Sequence, residues 1–122
     1  MHFTIEELRE ARRPIASLIS KSEKALGKLA PGTWQHTMLQ NNLNALRIAS
    51  ALMGGEANET DQFTQDDLQE ALRALAGMIG KTVQAQPKFP AGTSQHTLLQ
   101  NRLKALRIAE ALTKAKLDRR QA

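Results

Sequence analysis

The chain has 122 residues, 41% of them hydrophobic and 24% charged, which suits one ordinary globular domain over residues 1–122 and excludes a disordered or fibrous chain. Cysteine is absent and aromatic residues make up 3%, so disulfides, thiolate metal sites, cysteine nucleophiles and broad stacking platforms are excluded together. The net charge of +5 is uneven: residues 1–60 carry seven Lys or Arg against six acids, and residues 61–122 carry ten against six.

The first residues, MHFTIEELREARR, are charged where a secretory leader needs an apolar core. With no apolar run of about 18 residues, we expect a cytoplasmic protein that does not enter a membrane.

The first predicted helix opens on a capping box. Thr4 is a natural N-cap, Glu7 stands three residues on, and Phe3 and Leu8 have the spacing of a hydrophobic staple. Leu8, Ala11, Ile15, Leu18, Ile19, Ser22 and Leu26 then recur on one stripe at helical spacing. Pro14 falls inside this pattern and predicts a kink or a restart. Ala30, Pro31 and Gly32 end the helix, and Thr33 caps a second one of about 20 residues, roughly 30 Å long. Its apolar positions are Met38, Leu39, Leu43, Ala45, Leu46, Ala49, Leu52 and Met53.

The whole unit is then written again. Residues 3–52 align without a gap on residues 63–112 at an offset of 60, with 27 of 50 pairs identical. Identity is concentrated in the second helix, 16 of 21 over residues 32–52 against 11 of 29 over residues 3–31. Between the copies, residues 53–62 read as a flexible linker, and residues 113–122 read as a basic C-terminal tail. Phe63, Thr64, Asp67 and Leu68 repeat the helix start, Pro87 and Pro90-Ala91-Gly92 repeat the turn, and Thr93 repeats the cap. Two copies are too few for a solenoid. The expected fold is all-α, two tandem α-helical hairpins forming a pseudo-two-fold antiparallel four-helix bundle.

Strong catalytic signatures are missing. The chain has no glycine-rich phosphate loop, HExxH or GxSxG motif, and no Glu-x-x-His pair such as a di-iron bundle requires. Its histidines, His2, His36 and His96, form no ligand pair along one helix. We therefore expect no catalytic residues, no metal and no cofactor.

The most suggestive polar set is the one both copies keep. His36, Gln40 and Arg47 fall on one stripe of the second helix, and His96, Gln100 and Arg107 repeat it. Packing alone does not demand identity of exposed polar residues, so the set is a candidate ligand or partner site. Free N–H groups over residues 33–36 at a helix start suit an anion. The same residues can also serve structure, with the amides bonded to the neighbouring turn and His36 capping it.

Asn42 and Arg102 occupy one position near the middle of the apolar face, where a polar pair can fix register or a stem can reach out to the edge. Trp34 reads as a cover for the hairpin end, and Ile48 and Ile108 lie almost opposite the main stripe. Glu10, Arg13 and Lys21, with Glu70, Arg73 and Lys81, read as a solvated face.

The function expected on this reading is a non-enzymatic helical interaction or scaffold protein that binds a protein partner or a second copy of itself. The alternative is a basic helical module for nucleic acid, with Arg102, Lys104, Arg107, Lys114, Lys116, Arg119 and Arg120 as its electrostatic footprint. A third possibility is a small-anion or metabolite site at the His36/His96 end.

Overall fold

A computed structural model describes residues 2–54 and 62–121, and these residues form four packed α-helices with no strand. The linker expected over residues 53–62 falls largely on residues 55–61, outside the described residues.

Helix α1 spans Ile5–Leu26, α2 spans Trp34–Gly54, α3 spans Gln65–Ala85, a 3₁₀ turn covers Gln86–Lys88, and α4 spans Ser94–Gln121. Both expected capping boxes form. The Thr4 and Thr64 hydroxyls accept from the N–H groups of Glu7 and Asp67, whose carboxylates accept from the threonine N–H groups in return. Phe3 and Phe63 lie half-buried against the core beside these caps. Helix α1 passes through Pro14 without restarting; Pro14 can donate no hydrogen bond to the Glu10 carbonyl one turn back, but Glu10 is exposed to water.

The two hairpin turns close alike. Thr33 N–H donates to the Ala30 carbonyl and Thr93 N–H to that of Pro90, with Gly32 at φ 89° and Gly92 at φ 90° at the third position of each turn. That position of a type II turn needs positive φ, which glycine adopts without a steric penalty.

Packing departs from a square bundle. Helices α2 and α4 pack on each other and each packs on both α1 and α3, whereas the α1 and α3 backbones stay more than 8 Å apart, Cα to Cα. Ala45, Ala49, Ala105 and Ala109, all fully buried, lie at the centre of the buried arcs of α2 and α4, where small side chains let two helices approach closely. A helix with neighbours on three sides buries more than one stripe. This is why Ile48 and Ile108, which lie almost opposite the main stripe, are only 8% and 5% exposed and belong to the core.

Residues 113–121 of the expected basic tail 113–122 are no separate tail. They continue α4, with Thr113 and Leu117 buried and the Thr113 hydroxyl donating to the Ala109 carbonyl, and residue 122 lies outside the described residues. No helix among the described residues is long and apolar enough to cross a membrane.

Candidate functional site

Thr33 and Thr93 cap α2 and α4 as expected, each accepting from the backbone N–H three residues on, that of His36 or His96, at 3.2 Å. This occupies part of the anion site proposed for the helix start. The N–H groups of Thr33 and His36 are already bonded, which leaves those of Trp34 and Gln35 at the first turn of α2. Both imidazoles are half-buried, and neither takes part in a side-chain hydrogen bond among the described residues.

The shared stripe divides further along the helices. In the first hairpin, Gln40 Nε2 donates to Asn44 Oδ1 at 3.1 Å and Arg47 pairs with Glu23 of α1 at 3.0 Å. In the second hairpin the residues matching Asn44 and Glu23 are Lys104 and Val83, so neither interaction can form. Gln100 and Arg107 have no side-chain hydrogen bond or ion pair among the described residues. They line a cleft of about 570 Å³ with Lys104, Leu103, Phe3 and Gln86.

Two further clefts run between helices of different hairpins. The one between α1 and α4, about 600 Å³, is lined by Glu10, Arg13, Ser17, Leu98, Asn101 and Arg102 among others. The one between α2 and α3, about 540 Å³, includes Glu70, Arg73, Gly77, Met38, Asn41 and Asn42, the residues at an offset of 60 from each of those six. None of the three clefts is lined by His36 or His96.

Several expectations change here. Asn42 and Arg102 face different clefts and do not form a shared interior pair. Trp34, read as a cover for the hairpin end, is 69% exposed at the mouth of the α2/α3 cleft. Met38, counted from the sequence toward the apolar face, and Leu98 at the matching position are 37% and 47% exposed because the starts of α2 and α4 are covered on fewer sides than their middles. Glu10, Arg13, Glu70 and Arg73, read as a solvated face, are indeed exposed but also line the clefts; Arg73 pairs with Glu70, and Lys81 Nζ reaches Met38 Sδ at 3.8 Å. The available signal was their identity between the two copies.

Charge on α4 is spread around the helix. Lys104, Arg107 and Lys114 are exposed and lie within about 80° of one another at 100° per residue. Arg102 and Lys116 are half-buried on another side, and Arg119 Nε donates to the Ala115 carbonyl of its own helix. Arg120 lies on the side of Arg102, so the seven cations read as one footprint are divided between faces.

Across from Lys104, Glu7 is held below its ordinary value by the Thr4 backbone N–H, then by the Thr4 hydroxyl, with a smaller contribution from Lys104. No group of three or more His, Asp or Glu among the described residues is placed to hold a metal ion. No protein-family model, curated protein or solved structure matches the chain.

Proposed function

We propose that the chain is a non-enzymatic helical interaction module, built as a pseudo-two-fold pair of hairpins that presents the same docking groove twice. The observation that carries this reading is that seven of the 11 residues lining the α2/α3 cleft stand at an offset of 60 from seven of the 14 lining the α1/α4 cleft. Each groove has an exposed aliphatic residue, Leu98 or Met38, beside an acid, a base and an asparagine. That mixture suits a protein surface better than a small neutral molecule, because apolar contacts hold a partner while flanking charges set its orientation. The partner is a protein, a second copy of this chain included.

The test is to replace both exposed aliphatics, Met38→Glu with Leu98→Glu. Sedimentation velocity reads self-association, and co-purification from the source cell reads other partners. The double variant should lose the association that the unaltered chain shows while keeping its helical circular dichroism. Association that survives the double substitution, or a chain that stays monomeric and retains no partner, overturns the reading.

A further inference from the structure

The third cleft lies where the two hairpins differ. It runs along α4 over Leu103, Lys104, Arg107 and Ile108, closed on one side by Phe3 before α1 and on another by Gln86 after α3. The matching place in the first hairpin has Leu26 for Gln86, Leu43 for Leu103, Asn44 for Lys104 and Arg47 for Arg107. There Leu43 is 2% exposed and Arg47 has Glu23 as its counter-ion. Here Leu103 is only half-buried and Val83 stands where Glu23 would be. The second hairpin therefore has a more open apolar floor and no carboxylate at the position that pairs with the arginine of the first.

Charge in this cleft is incompletely compensated. Its one acid, Glu7, already accepts a hydrogen bond from the Thr4 backbone, whereas Lys104 and Arg107 contribute two cations and Gln100 an amide. A guanidinium presents parallel N–H donors that match a carboxylate, and an ammonium beside it adds a second donor set. Next to these heads lie Leu103, Ile108 and Phe3, and the volume of about 570 Å³ is within the range of small-molecule sites.

We propose that this cleft binds a small amphipathic monoanion, a carboxylate on an apolar tail, with the head on Arg107 and Lys104 and the tail over Leu103, Ile108 and Phe3. The absent Glu23 equivalent is supplied by the ligand. The cleft shares Glu7, Lys104 and Ile108 with the α1/α4 groove, but binding of a small anion needs no partner protein, so titration of the isolated chain reads it separately from docking.

Calorimetric titration of the full chain with decanoate, below its micelle concentration, tests it. Decanol and inorganic phosphate serve as tail-only and head-only probes. Decanoate should bind one-to-one and more tightly than either. Arg107→Gln should weaken it about tenfold or more, as expected for losing a charged hydrogen-bonding group. Val83→Glu, which restores the internal counter-ion of the first hairpin, should weaken it comparably while leaving every lining residue in place. Arg12→Gln, which removes one positive charge elsewhere, should leave binding unchanged. Circular dichroism of each variant checks that the fold persists. The proposal is overturned if decanoate does not bind, if decanol or phosphate binds as tightly, or if Arg107→Gln and Val83→Glu bind like the unaltered chain.

Discussion

The first and second hairpins share their backbone hardware and differ in what their outer faces do. Both start on a Thr capping box, both turn on a positive-φ glycine, and both enter their second helix through a Thr cap. Yet the first closes its outer face with Leu43 buried and Arg47 paired to Glu23. The second leaves Leu103 half-open beside Arg107 and continues α4 to Gln121. The difference teaches that two stretches can diverge in surface chemistry while the caps and turns that define their helices stay fixed, since those depend on only a few residues each.

The largest expected effect breaks the correspondence at its far end. Leu117 is buried near the end of α4, past residue 112 where the offset-60 alignment stops. Leu117→Ala should cost about 2–5 kcal/mol in urea unfolding, the range for emptying a buried leucine site. A cost near zero would mean that the end of α4 adds nothing to the core. This is also where sequence reading fell short. The alternation of Lys, Ala, Lys, Leu, Asp and Arg over residues 114–119 looks like a solvated tail, and only the presence of neighbouring helices makes Leu117 a core residue. The four helices, their caps and their turns were legible because each is encoded within a few residues of where it acts. Burial of Ile48 and Ile108, exposure of Trp34, and the three clefts were not, since they depend on the closed diagonal between α2 and α4.

Glycine sharpens the comparison from two directions. Gly32→Ala and Gly92→Ala should each destabilise by about 1–2 kcal/mol, because the added Cβ meets open space but the left-handed backbone itself is strained. Gly77→Ala should do the opposite. It sits inside α3 where the first hairpin has Ser17, its added Cβ meets nothing within 4 Å, and alanine in a helix interior is favoured over glycine by about 0.5–1 kcal/mol. Thermal melts of the three variants read both signs. Equal losses at Gly32 and Gly92 would place the same mechanical demand on both turns, and unequal ones would show that the Pro31-Gly32 and Ala91-Gly92 turns carry different strain.

The smallest effect concerns the ion pair that only the first hairpin has. Glu23 and Arg47 join α1 to α2 at 3.0 Å, but both side chains are about half exposed, so water and salt screen the attraction. Glu23→Gln should therefore cost no more than about 0.5 kcal/mol, and less as salt is raised. A double-mutant cycle with Arg47→Gln isolates the pair term from the loss of each side chain's other contacts. A coupling well above about 1 kcal/mol would mean that the pair clamps the hairpin, and that its absence between Val83 and Arg107 makes the second hairpin the looser one. A small coupling leaves the hairpins equally firm and makes the loss of Glu23's equivalent inexpensive. On that outcome, the second hairpin carries Val83 in place of a carboxylate and leaves Arg107 without that counter-ion at little cost to its fold.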